Sequence, residues 1–304
     1  MQAPAHQVSP ARQGVRPSCV VVQAHSGATL LEFLCQRFTA VPAATWQARL
    51  EAGDITDAQG LTARATDAAT PGRRLYYFRD VPDETPIPFT ETVLWHDAHL
   101  LVVDKPHFLP VVPSGKHVRE TLLARLQHRL ALPELSPIHR IDKDTAGLVM
   151  FSVQAASRNA YQALFRDRLV QKTYECIAPW NPDLPWPLHR ESRIGDAEHF
   201  MQQAEVPGAV NAITDIAPLE VHGAWARYQL RPLTGQRHQL RVHMHALGLP
   251  LLHDGIYPVL TPEGANDYRR PLQLLARSLA FTDPLSGAHR SFESQRTLLA
   301  MENF

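Results

Sequence analysis

Pro137-Ile-His-Arg-Ile-Asp-Lys-Asp-Thr-Ala-Gly147 crowds five ionisable side chains, His139, Arg140, Asp142, Lys143 and Asp144, into one polar loop. That loop opens directly onto the apolar run Leu148-Val-Met-Phe151. A loop anchored to a buried strand is a place where carboxylates and cations set one another's charge. The same residues also suit an ordinary turn, with Asp144 or Thr145 bonding local backbone and the charges in water.

A second concentration is Thr234-Gly-Gln-Arg-His-Gln-Leu-Arg-Val-His-Met-His-Ala-Leu-Gly248. Its spacing predicts a helix over about 237–246, entered through Gly235 and closed by Gly248, with Leu240, Met244 and Leu247 as its apolar stripe. Arg237, Arg241 and His245 fall at i, i+4 and i+8, which on a helix makes one positive face. Four arginines (227, 231, 237, 241) and no acid lie between Trp225 and His245. This unit suits phosphate neutralisation, an arginine paired to a catalytic carboxylate, or a solvated basic face. His238, His243 and His245 at i, i+5 and i+7 scatter around a helix, so no metal site is expected from them.

Two further stretches complete the set. Gln171-Lys-Thr-Tyr-Glu-Cys-Ile177 alternates with period two, placing Tyr174 and Cys176 on one face and Thr173 and Glu175 on the other. Alone, such a tyrosine is more often core than catalyst. Val102-Val-Asp-Lys-Pro-His-Phe-Leu-Pro-Val-Val-Pro-Ser-Gly115 reads as a strand leaving into a loop punctuated by prolines.

The elements that must position these stretches are short apolar strands (100–104, 147–153, 170–178, 225–231) mixed with helices (about 119–131, 155–168, 237–246). There is no strict βαβ rhythm, which predicts an α+β fold. Ahead of them, residues 18–80 read as a small α/β module, with a strand at Cys19, helices around Leu30–Phe38 and Trp46–Leu50, and an extended stretch at Leu75–Phe78. Residues 1–17 read as a mobile leader, 81–89 as a proline-rich linker, and 90–304 as the main domain.

The 304 residues carry 30 Lys+Arg against 30 Asp+Glu, so any attraction to a polyanion must come from local clusters. No apolar run reaches the length of a membrane span, and no secretory signal opens the chain, which predicts a cytoplasmic protein. Cys19, Cys35 and Cys176 are odd in number and never form a C-x-x-C pair, which points to reduced, structural thiols.

Taken in order, the Asp104-Lys105-Pro106 strand exit, the His139-Arg140-Ile141-Asp142 loop ending in Gly147, the Lys172-Thr-Tyr174 strand and the Gly235-x-x-His238-Gln239-Leu-Arg241-Val-His243 helix resemble the RluA-type family of RNA pseudouridine synthases. The likeness spans roughly 89–284. It implies a pseudouridine synthase catalytic domain with a central mixed, largely antiparallel sheet flanked by helices and loops. By this resemblance Asp142 matches the catalytic aspartate, Tyr174 the tyrosine against the target base, and Arg241 the basic partner of the aspartate. Arg140 matches the arginine that occupies the place of a flipped-out nucleotide, and His139, Arg237, His238 and Gln239 join it as expected substrate-binding residues. The leading module resembles a ribosomal-protein-type RNA-binding domain. Between Met1 and Thr90, however, eight arginines face eight acids, leaving Arg73, Arg74 and Arg79 as its local basic patch and a packing role as the rival.

Three departures stand out. The family's G-R-T-H-Q reads Gly235-Gln-Arg-His-Gln239, with the arginine one place later, and its L-H-A reads Leu274-Leu-Ala276, while Leu251-Leu-His-Asp-Gly-Ile-Tyr257 keeps G-D-x-x-Y only in part. The implied reaction cleaves the N-glycosidic bond of uridine, turns the uracil and joins C5 to the sugar, without net oxidation, so no metal, nucleotide or redox cofactor is expected. A positive anomeric carbon calls for a carboxylate, a buried carboxylate calls for a guanidinium, and a base hidden in folded RNA must be extruded. The expected partner is ribosomal or transfer RNA, with no membrane and no obligatory protein partner, and the expected assembly is a monomer. The alternatives are a catalytically silent RNA-binding protein on the same fold, or a hydrolase using Asp142 with Asp144.

Overall fold

The structure, a computed structural model, describes residues 14–24, 27–79, 84–115, 117–262 and 267–303. Most of the expected leader, and residues 80–83 at the expected linker, lie outside the described residues. The chain divides into two compact units.

The first unit runs to Glu84 and includes residues 113–119 and 124–133, the latter holding most of helix α3 (Leu122–Arg129). It contains β1 (Ser18–Val21), α1 (Leu30–Arg37), α2 (Ala43–Glu51), β2 (Ile55–Asp57) and β3 (Arg74–Tyr77), with the strands ordered β1-β3-β2, all antiparallel. Thr29 starts α1 with a capping box: its side chain accepts from the Glu32 N–H, and the Glu32 carboxylate accepts from the Thr29 N–H. Leu30, Phe33 and Leu34, at i, i+3 and i+4, are then buried against Trp46, Leu50, Ile55 and Leu75. Each such aliphatic or phenyl side chain contributes about 1.5–3 kcal/mol. Of the three arginines expected as a basic patch, Arg73 is paired with Asp67 at 3.2 Å and with Asp57, which β2 places beside β3, at 3.8 Å.

The second unit is an α+β fold built on one ten-stranded sheet. Its elements are β4 (Thr92–His96), β5 (Leu100–Lys105), β6 (Ser136–Pro137), β7 (Ala146–Ser152), α4 (Ala155–Arg166), β8 (Gln171–Pro179), β9 (Leu188–Ser192), the separate hairpin β10 (Ile194–Asp196) and β11 (Gln203–Glu205), β12 (Ala212–His222), β13 (Trp225–Pro232), α5 (Gln239–Ala246), β14 (Leu274–Thr282) and β15 (His289–Glu293). The sheet order is β4-β5-β7-β14-β8-β13-β12-β9, with β15 beside β14 and β6 beside β7; only β14 and β7 run parallel. β5 and β7 are buried along their whole length, which is why Leu100–Val103 and Leu148–Phe151 read as unbroken apolar runs. Among the described residues no helix is long and apolar enough to cross a membrane.

Three features of this sheet fix the functional stretches. Gly147 (φ +107°) lets β7 pass against β14 where a Cβ would stand 2.3 Å from the Ala276 carbonyl oxygen, so no side chain fits there. Ala276 pairs with Gly147 on one side and with Tyr174 of β8 on the other, setting the polar loop and the tyrosine in one row. On β8, Cys176 is buried in the core with Tyr174 packed beside it, while Glu175 points to the other face and pairs with Arg277 at 3.3 Å. Helix α5 packs Leu240 and Met244 into that same core and ends in a Schellman motif, with Gly248 at φ +76° and the N–H groups of Gly248 and Leu249 donating to His245 and Met244.

Candidate active site

The 138–145 loop is sewn to its own strand before it reaches the site. Ile138 N–H donates to the Met150 carbonyl, Met150 N–H donates back to His139 Nε2 at 3.1 Å, and the His139 ring stacks on Phe165 at 4.4 Å. Burial brings His139 down to about 3, so it stays a neutral acceptor. Farther on, the fully buried Lys105 donates to the carbonyls of Pro106 and Lys143, both at 2.9 Å, and His107 Nδ1 lies 2.7 Å from the Asp144 carbonyl oxygen. Burial lowers Lys105 to about 7, against the pull of Asp144 and Asp142. Asp104 faces away and holds Ser294 and Gln295 at 2.8 Å each.

Held in this way, Asp142 meets α5. Its Oδ2 accepts from Arg241 Nη1 at 3.2 Å, across 99 positions of sequence. The Arg241 side chain is only 2% exposed, and its other nitrogens clamp Asp254, with Nε to Oδ2 at 2.9 Å and Nη2 to Oδ1 at 2.5 Å. The Asp254 side chain is fully buried and also accepts from the N–H groups of Ile256 and Tyr257 at 2.8 and 3.1 Å. Its four donors leave it one task, to hold the guanidinium in place. Burial alone would drive the Asp142 carboxyl up, but the charge and hydrogen bond of Arg241 outweigh it and hold the group below the ordinary carboxylate range. The Asp142 side chain keeps 29% exposure, so an ionised carboxylate fixed on one side remains open on another.

His238 starts α5 in the left-handed region (φ 55°), which turns its ring between Tyr257 OH, 3.1 Å from Nδ1, and Asp142, 3.9 Å from Nε2. Burial keeps this imidazole below its ordinary range, so it is neutral at pH 7. The Tyr174 phenol is pushed up by burial and then by the charge of Asp142, so it stays protonated at neutral pH. Arg140 stands exposed on the loop, with no ion pair among the described residues.

The positive face expected from Arg237, Arg241 and His245 does not form. The helix begins only after His238, so Arg237 precedes it and donates to the carbonyls of Phe200 and Met201 at 3.2 Å, while Arg241 is buried and doubly neutralised. Gln239, expected at the substrate, has no capacity left for one. Its oxygen accepts from Thr234 Oγ1 and Gln236 N–H, and its nitrogen donates to the Ile213 carbonyl and Thr214 Oγ1, fixing the helix entry to β12. His139 likewise serves the loop's attachment, through Nε2 and the stack on Phe165. Asp254 and Lys105 were not among the expected site residues; the sequence signals for them were the partial G-D-x-x-Y and the D-K-P. No group of three or more His, Cys, Asp or Glu among the described residues is placed to hold a metal ion.

Residues 99–246 match the RNA pseudouridylate synthase family. An uncharacterised RNA pseudouridine synthase of Synechocystis sp. is 31% identical over 75% of this chain and 79% of its own length. The dual-specificity RNA pseudouridine synthase RluA of Salmonella typhi is 31% identical over 66% of this chain and 91% of its own. Among solved structures, human RNA pseudouridylate synthase domain containing 4 superposes with a TM-score of 0.52 at 27% identity, over 68% of this chain and 88% of that one. Human RNA pseudouridylate synthase domain containing 1 shares the fold, with a TM-score of 0.55 at 21% identity over 68% of this chain and 84% of its own. With the loop, strand and helix motifs meeting at one open carboxylate, and two relatives at 31% identity matched over 79% and 91% of their own length, the protein belongs to the RluA-type family of RNA pseudouridine synthases, isomerases that act on RNA.

Proposed function

We propose that this chain converts specific uridines of ribosomal or transfer RNA to pseudouridine with Asp142 as the catalytic carboxylate. The observation that carries this is the row Asp142–Arg241–Asp254, in which a partly open carboxylate is held 3.2 Å from a guanidinium that is itself 2% exposed and locked from behind. Cleaving the N-glycosidic bond builds positive charge at the anomeric carbon, and an ionised carboxylate there attacks, deprotonates or stabilises. Arg241 keeps Asp142 ionised where burial would protonate it.

The target nucleotide leaves the RNA stack to reach the carboxylate, and Tyr174 offers its ring to the base. Arg140, exposed on the same loop, fills the place the base vacates. His139, Lys105, His107 and Gln239 position the loop and helix, and His238 lines the site as a neutral group. The small first unit adds RNA contact, and the chain acts as a monomer in the cytoplasm.

The test is tritium release from RNA labelled at uridine C5, with ribosomal and transfer RNA pools, for wild type and Asp142→Asn. Release by wild type alone is expected. Equal release by the variant would refute the role given to Asp142, and RNA binding without release from either pool would favour a silent RNA-binding protein.

A further inference from the structure

The β10–β11 hairpin carries His199 and Phe200 at its tip, and Phe200 is 78% exposed, the most exposed large apolar side chain among the described residues. A phenyl ring left in water adds nothing to the fold by burial. Its mount is nevertheless stiff. Arg237 Nη1 and Nη2 donate to the carbonyls of Phe200 and Met201, and Met201 N–H donates to His199 Nδ1 at 3.3 Å. Gln202 Nε2 donates to the Ile256 carbonyl at 2.7 Å, and Gln203 N–H donates to Tyr257 OH at 2.7 Å. That hydroxyl also meets His238, which flanks Asp142, so the hairpin is tied to the rim of the site. The His199 ring lies 4.9 Å from Phe200 at a 31° tilt, widening the aromatic surface.

We propose that Phe200, with His199 beside it, is a stacking platform for an unpaired nucleobase of the RNA next to the target uridine, and that Arg237 is the positioning residue that holds it. This rests on the RNA-modifying reading above. The tip also carries Glu198, which disfavours phosphate, so attraction there comes from the ring. Arg237 occupies the place where the related motif has its threonine, and the contacts of its guanidinium explain that departure: the arginine reaches the hairpin in place of the helix face.

The test is fluorescence anisotropy with the full chain, a uridine dodecamer and an abasic ribose dodecamer of equal phosphate count. Phe200→Ala weakens binding of the uridine oligomer by about 5- to 150-fold, the range for one lost base–aromatic stack, and Phe200→Trp restores it. The slope of affinity against salt stays that of wild type, because no charge is removed. The preference for the uridine oligomer over the abasic one shrinks by the same factor, and Arg237→Gln adds no further loss in the Phe200→Ala background. Unchanged affinity in Phe200→Ala, equal loss on both oligomers, a tryptophan no better than alanine, or wild type that binds neither oligomer overturns the platform. Additive loss on Arg237→Gln overturns the positioning role. Tritium release by the same wild-type preparation reports separately on the isomerase reading, so a preparation that stacks RNA but releases nothing refutes that reading and leaves the platform standing.

Discussion

Asp254→Asn isolates the part played by the buried clamp behind Arg241. The native carboxylate accepts four N–H groups: two from Arg241 at 2.9 and 2.5 Å, one from Ile256 at 2.8 Å and one from Tyr257 at 3.1 Å. An asparagine has one acceptor oxygen, so in either orientation its NH2 faces a donor and the guanidinium loses a charge partner inside the fold. Breaking a buried ion pair from one side costs about 3–5 kcal/mol. For a unit of this size that lowers Tm by about 6–20 °C. Adding Arg241→Met removes the stranded cation and recovers at least half of the loss. The cost in chemistry then appears alone, because Asp142 has no guanidinium. A pair this close is worth about 4 kcal/mol at an intermediate dielectric, so turnover falls by ~100-fold or more even though the fold is restored. Calorimetry and tritium release on wild type, the single variant and the double variant decide it. An Asp254→Asn protein melting with wild type, or a double variant with full turnover, would refute the reasoning.

Other variants probe the remaining parts. Asp142→Asn abolishes pseudouridine formation while Tm stays within a few degrees, because Arg241 keeps Asp254; unfolding of the variant would contradict this. Tyr174→Phe retains turnover within about tenfold of wild type, whereas Tyr174→Leu raises KM by about 5- to 150-fold for the lost stack, and equal behaviour of the two would remove the ring from the mechanism. Lys105, brought down to about 7 in the fold, is deprotonated there at pH 8–10 while the unfolded chain still holds the proton. Stability therefore rises with pH above 7, by at most ~1.4 kcal/mol per unit, and urea unfolding of Lys105→Met lacks that component. An identical pH slope in both proteins would show that the lysine carries its ordinary affinity for the proton.

The apolar runs that became β5, β7 and β13 were legible because both faces, or every second residue, are buried, and β8 was legible from its buried end, Cys176-Ile-Ala178. β14 was not, since Arg277 and Ser278 interrupt its run at the bulge against β8. Tyr174 and Arg241 were visible as motif members. The depth of Arg241 was not, because four arginines without a nearby acid read as a basic surface, and the acid that buries one of them lies beyond the helix at Asp254. The start of α5 was read two residues early for a related reason: propensity does not show that His238 takes a left-handed conformation to meet Tyr257. Gln239 and His139 shared the motifs that named them, yet their hydrogen bonds face inward to β12 and β7, a distinction that exists only once the strands are placed.

The position of β14 between β7 and β8 has a consequence for the nascent chain. β7 is complete at Ser152, but its neighbour ends at Thr282, about 130 residues later, and Arg241 and Asp254 are made in the same interval. At bacterial or eukaryotic elongation speeds this is roughly 6–26 s. Throughout that interval an apolar strand edge and the uncompensated Asp142 loop await partners still in the ribosome. Synthesis therefore passes through a stage in which β7, wholly buried in the finished enzyme, is open at Ala146 and Gly147 where β14 will pair, and chaperone capture during translation is expected to concentrate there.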